Sequence, residues 1–158
     1  MQKITPCLWF DGKVKEAIDF YTSVFKNSKI LEISYYGEAH PQMAGEILVA
    51  KFVLEGQELM ILNGGPAFKL TEAISLSVDC KTQEEIDFYW ETLIAGGGQE
   101  SQCGWLKDKF GLSWQISTSE LNEMLKDKDA KKANNVMSAL MKMVKIDIKA
   151  LRSAYEQA

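Results

Sequence analysis

The chain has 158 residues, 46% of them hydrophobic and 25% charged, enough to bury one sizeable core with a tail besides. Its formal net charge is −4 and its lysines are scattered among acids, so no basic stripe exists to follow a nucleic-acid backbone. No apolar run approaches the ~20 residues of a bilayer span, so neither nucleic acid nor a membrane is an expected partner. The start, Met-Gln-Lys-Ile-Thr-Pro-Cys, has no apolar signal core, and the expected location is cytoplasmic. Cys7, Cys80 and Cys103 are odd in number and lack Cys-x-x-Cys spacing, which fits reduced thiols and neither a disulfide framework nor a zinc site.

In chain order, Ile4 to Phe10 reads as a strand. Lys13 to Phe25 reads as a helix with Val14, Ala17, Ile18, Tyr21 and Phe25 on one face, and Ile30 to Tyr36 as a second strand. A loop from Gly37 to Gly45 follows and carries His40, the only histidine. Strands Glu46 to Leu54 and Glu58 to Leu62 flank Glu55-Gly56-Gln57, a hairpin signal. Gly64-Gly65-Pro66 breaks the chain. Ile74, Leu76 and Val78 then alternate with Ser75 and Ser77, the period of a half-buried strand. Thr82 and Glu85 form a capping box for a helix to about Ile94, which Gly96-Gly97-Gly98 stops. Gly104 to Lys107 and Leu112 to Ser117 read as short strands. From Glu120 the pattern is helical, with Met137, Leu140, Met141 and Val144 at helical spacing and Ile148, Leu151 and Tyr155 continuing an apolar stripe.

Glu-Ala-Ile-Asp-Phe-Tyr at residues 16–21 returns as Glu-Glu-Ile-Asp-Phe-Tyr at 84–89, an offset of 68. The same offset pairs Leu8 with Leu76, Phe10 with Val78, Asp11 with Asp79 and Lys13 with Lys81, so the strand before each helix repeats as well. Aligning Gly56 to Ile61 with Gly111 to Ile116 needs an offset of 55, which assigns 13 extra residues to the first copy near Gly37 to Gly45. Duplication of an open sheet can enclose a cavity that neither copy forms alone. The expected fold is therefore α+β: two tandem β-α-β-β-β modules forming a curved sheet around a cavity. The expected domain is 1–118, with modules about 1–66 and 67–118, and a C-terminal helical extension over 119–158.

This duplicated unit, with Phe-Tyr on each helix, resembles the vicinal oxygen chelate superfamily of glyoxalase I, bleomycin-resistance proteins and extradiol dioxygenases. Leu8-Trp9-Phe10-Asp11-Gly12, Asn63-Gly64-Gly65-Pro66 and the stretch from Cys103 to Ile116 resemble its PhnB-like branch, as does Lys145-Ile146-Asp147-Ile148 followed by Leu151. Members often carry the label demethylubiquinone methyltransferase, yet Gly96 to Gly98 end a helix and do not join a strand to one, unlike a nucleotide-binding loop. The resemblance implies a divalent metal held by His, Glu or Gln on the first and last strand of each half. Those places fall on Thr5 or Pro6, Ala73 or Ile74, Met60 and Gln115. Only the glutamine could coordinate, and one neutral amide does not hold a divalent ion, so neither metal nor cofactor is expected.

Strand alternation puts Ser75 and Ser77 on the face away from the helix and, by the repeat, Cys7 and Trp9 with them. Gln115 alternates with Trp114 and Ile116, and Trp105 borders the turn Lys107-Asp108-Lys109. The expected ligand contacts are Cys7, Trp9, Met60, Ser75, Ser77, Trp105 and Gln115. No catalytic residue is identified: Cys103 has no histidine near it in sequence, and Asp108 and Glu58 form no spaced pair. The leading expectation is a metal-independent small-molecule-binding protein. A lyase, isomerase or dioxygenase of the same superfamily, metal-dependent or metal-free, is the alternative, and a scaffold whose cavity its own side chains fill is the third. The amphipathic tail makes a homodimer the expected assembly.

Overall fold

The computed structural model describes residues 2–157. They fall into two compact units, the first ending at Leu70 and the second beginning at Thr71, each built on its own four-stranded mixed sheet. With five helices among the described residues the fold is α+β. None of those helices is long and apolar enough to cross a membrane.

The first unit runs β1 (Cys7–Phe10), α1 (Val14–Val24), β2 (Ser28–Tyr35), β3 (Ile47–Leu54) and β4 (Gln57–Asn63). Its sheet order is β1-β4-β3-β2, with β1 parallel to β4 and the other neighbours antiparallel. β1 is shorter than the sequence reading: Pro6 has no N–H to give a ladder, and Ile4 is 83% exposed. The hairpin between β3 and β4 is a two-residue loop with positive φ at Glu55 and Gly56, the form whose twist suits antiparallel strands. Helical spacing puts Val14, Ala17, Ile18, Tyr21 and Val24 on the buried side of α1, over Ala50, Phe52, Leu59 and Ile61. Tyr21 stacks on Phe52 with centroids 6.3 Å apart.

The second unit repeats the plan as β5 (Ser75–Asp79), α2 (Gln83–Ile94), β6 (Gln99–Glu100), β7 (Trp105–Lys107) and β8 (Ser113–Ser117), in sheet order β5-β8-β7-β6. β6 escapes a sequence reading because two residues show no alternation. Ile74 lies before β5 and is 49% exposed, so Leu76 and Val78 alone supply the strand's inward row. Thr82 Oγ1 accepts from Glu85 N at 3.2 Å, and Glu85 Oε2 reaches back to Lys81 N at 2.5 Å, one residue beyond the usual capping-box partner. Ile86, Trp90 and Leu93 bury against Leu106, Trp114 and Ile116.

The tail is part of the second unit: α3 (Ser119–Leu125), α4 (Ala130–Leu140) and α5 (Ile148–Glu156). Side-chain caps from Thr118, Asp129 and Asp147 open the three helices. The expected stripe through Met137, Leu140, Met141 and Val144 is not one helical face, because α4 ends at Leu140. Val136 and Leu140 carry the burial, while Met137 and Met141 are 43% and 67% exposed. Cys103 N and Gly104 N donate to Met143 O and Val144 O at 2.9 and 2.8 Å, which seats the segment after α4 beside β7. Ile146 is fully buried there. Its Cγ1 would lie 2.8 Å from a Cβ on Gly104, and Gly104 also has φ of +82°, so the position demands glycine twice over.

Candidate functional site

In the second unit, cross-strand register fixes which side chains share the face away from α2. Ser77 pairs with Gln115 and Gln115 with Trp105, while Ser75 and Lys107 both pair with Ser113. Residues opposite one another in a ladder project to the same side. Ser75, Ser77, Ser113, Gln115, Trp105 and Lys107 therefore form one surface, and Leu76, Trp114, Ile116 and Leu106 form the other. Four expected contacts, Ser75, Ser77, Trp105 and Gln115, are brought together.

Gln115 is half-buried and its Nε2 donates to Ser75 Oγ at 2.9 Å. Its Oε1 takes no hydrogen bond among the described residues and is left as an acceptor on the open face. Lys107 pairs with Glu72, and that ammonium holds the Glu72 carboxyl below the usual carboxylate range. Ser113 is 1% exposed and its Oγ has no hydrogen-bond partner among the described residues. Alternation along 113–117 places Ser113 beside Gln115, but only depth in the folded unit distinguishes it from Ser117.

In the first unit, Cys7 lies opposite Met60 and Trp9 opposite Leu62 on the face away from α1. Cys7, Trp9 and Met60 are thus neighbours there. Burial raises the Cys7 thiol pKa, with a hydrogen bond from the Leu62 backbone opposing it. Trp9 uses its polar atom internally, since Nε1 donates to Gly65 O at 2.8 Å and the ring meets Phe68 edge-on at 4.9 Å. The repeat pairs Trp9 with Ser77, so the residue matching Gln115 is Leu62 and not Met60. The closing strands are displaced by two residues from the alignment that local sequence suggests. A two-residue shift preserves the face and changes the residue.

His40 is exposed and touches Tyr36 edge-on, with centroids 5.4 Å apart. Among the described residues no three His, Cys, Asp or Glu side chains gather where they could hold a metal ion. At the places the resemblance implies for metal ligands, Pro6, Ala73 and Ile74 bring no side-chain donor, Thr5 brings a neutral hydroxyl, Met60 brings a thioether and Leu62, its replacement by ladder register, nothing, and Gln115 brings one carbonyl oxygen. That donor set does not fit a divalent ion.

The profile of a family described as 3-demethylubiquinone-9 3-methyltransferase matches residues 2–117. A Bacillus cereus structure described as a 3-demethylubiquinone-9 3-methyltransferase, PhnB protein, is 41% identical, with TM-score 0.68, covering 74% of this chain and 99% of its own. A Pseudomonas aeruginosa protein is 21% identical with TM-score 0.61, over 75% of this chain and 98% of its own. The fosfomycin resistance protein FosX of Listeria monocytogenes is 16% identical with TM-score 0.59, over 80% and 98% of the two chains. The last two similarities show the fold alone. Comparison with curated proteins returns no match.

Proposed function

The chain belongs to the PhnB-like family described as 3-demethylubiquinone-9 3-methyltransferase, in the vicinal oxygen chelate superfamily, and from that premise we propose that it is a metal-independent small-molecule-binding protein. The observation that carries the reading is Gln115: its amide is tethered by Ser75 at 2.9 Å and offers Oε1 on a half-buried polar face. Such an acceptor orients a ligand donor without supplying an electrophile. Ser77 and Trp105 extend that face, and Cys7, Trp9 and Met60 are the contacts proposed on the first unit's sheet. No catalytic residue is proposed. The methyltransferase description gains no support from Gly96 to Gly98, which follow α2 and open no nucleotide-binding helix.

The test is a thermal-shift screen of small aromatic and amphipathic compounds, followed by titration of the best binder into the parent and Gln115→Ala. The expected result is about tenfold weaker binding at a nearly unchanged melting temperature, the worth of one well-placed hydrogen bond. A loss of stability with unchanged affinity would count against the reading. Calorimetric titration of nickel, zinc, manganese and iron into chelator-treated protein completes it. Tight stoichiometric binding would replace the proposal with a metal-dependent lyase, isomerase or dioxygenase.

We also propose a cytoplasmic homodimer. The exposed Met137 and Met141 support the dimer, and a strictly monomeric sedimentation profile would refute it.

A further inference from the structure

Three of the four tryptophans donate their indole N–H inside the protein: Trp9 to Gly65 O at 2.8 Å, Trp90 to Glu100 Oε1 at 2.9 Å and Trp114 to Asp108 Oδ2 at 2.9 Å. Trp105, half-buried on β7, has no acceptor for its Nε1–H among the described residues. Ladder register sets it opposite Gln115, whose Oε1 is likewise unused, and sets Gln115 opposite Ser77. The exposed Ser77 hydroxyl also has no partner among the described residues. One accessible row thus crosses β5, β8 and β7 as hydroxyl, acceptor and donor, over two strand spacings or about 10 Å. We propose that this row recognises a primary carboxamide on the ligand. One amide N–H donates to Gln115 Oε1, the other to Ser77 Oγ, and the amide carbonyl accepts from Trp105 Nε1. The proposal rests on the small-molecule-binding reading above and names the chemical class that the same face takes.

Complementarity selects the class. Ser75 Oγ accepts from Gln115 Nε2 at 2.9 Å, so Oε1 is the atom left for a ligand, and it calls for a donor. Trp105 Nε1 can only donate, so the same ligand group must also accept. A carboxylate has no N–H for Gln115 Oε1, and the cation of this face, Lys107, is already paired with Glu72. An ammonium has no acceptor for the indole, and the Glu72 carboxylate is engaged by the same pair. A neutral carboxamide carries both functions side by side and asks for no counter-charge.

Benzamide, N,N-dimethylbenzamide, benzoate and benzylammonium share one ring and differ in the head group. Each is titrated into ¹⁵N-labelled full-length protein, and the Trp105 indole N–H resonance, assigned by its absence in Trp105→Phe, is followed. Benzamide is expected to shift it saturably and to bind at least about fivefold tighter than the other three, the worth of one hydrogen bond. Gln115→Ala is expected to bring benzamide down to the affinity of N,N-dimethylbenzamide and to leave the latter unchanged, because only benzamide has an N–H for Oε1. Trp105→Phe, which keeps a ring and removes the donor, is expected to weaken benzamide about fivefold. No saturable indole shift with benzamide, a preference for any of the other three, equal weakening of both amides by Gln115→Ala, or full affinity in Trp105→Phe would each overturn the carboxamide. The comparison of probes on unaltered protein keeps the test decisive if a variant folds poorly. Gln115-dependent binding of the screened compound alongside a failed benzamide titration removes the carboxamide alone; failure of both removes the binding reading too.

Discussion

Cys80 is fully buried at the end of β5, and its thiol is pushed up to about 12 from an ordinary value of 9.0, chiefly by burial and then by the carboxylates of Glu85 and Asp79. A thiol held protonated in the folded state adds nothing to the pH dependence below the unfolded pKa. Above it the unfolded chain ionises first, so stability falls as pH rises from about 9 to 12. Chemical denaturation across that window should show a decline that Cys80→Ala flattens; parallel curves for the two proteins would refute the assignment. Trp9 and Gly64 show a different single-residue dependence. A Cβ on Gly64 would stand 2.3 Å from Trp9 Cζ2, so the tryptophan and the Asn-Gly-Gly-Pro turn are one packing unit. Both were legible as family residues, whereas their contact was not, because it joins positions far apart in sequence. Asn63 has the same character: its Oδ1 accepts from Gly12 N at 2.9 Å and its Nδ2 donates to Ile47 O at 3.1 Å.

The stretch from Cys103 to Ile116, the most specific part of the family resemblance, is a folding element before it is anything else. Asp108 is 3% exposed and accepts from Phe110 N at 2.9 Å, Leu112 N at 3.1 Å and Trp114 Nε1 at 2.9 Å, which fixes the turn between β7 and β8. Asp108→Ala removes the acceptor from three donors and should destabilise the protein by about 2–4 kcal/mol in urea titration. A change within a few tenths of a kcal/mol would mean that water replaces the carboxylate. The same element presents Trp105, Lys107, Ser113 and Gln115 on its other face, so rigidity of the turn positions the candidate site. Alternation along the strand revealed which residues share a face. Which of them is buried, tethered or unsatisfied depended on β5, β6 and β7 closing around them.

At the scale of the molecule the tail is integral to the second unit. Ile146, Ile148 and Leu151 are buried, and Gln83 joins α2 to α5 through Ile146 O and Ile148 N, each at 2.9 Å. Arg152 adds a two-pronged pair to Glu120 at 2.6 and 2.8 Å, exposed enough to contribute little. A chain ending at Ser117 should therefore melt at least about 5 °C lower than the full chain by calorimetry, since the loss of apolar burial outweighs the loss of surface pairs. Unchanged melting would show that the helices are an independent appendage.

The sequence by itself determined the duplicated β-α-β-β-β plan, the two helices and the buried face of the first, and the family. Those features follow from local periods of 2 and 3.6 residues and from a motif repeated at an offset of 68. Only the tertiary structure decided that Leu62 and not Met60 matches Gln115, that Gln115 leans on Ser75 while Ser113 Oγ finds no partner among the described residues, and that Met137 and Met141 stay outside the second unit's core. Ladder register, hydrogen-bond satisfaction and burial depth are set by residues distant in the chain, and no local pattern encodes them.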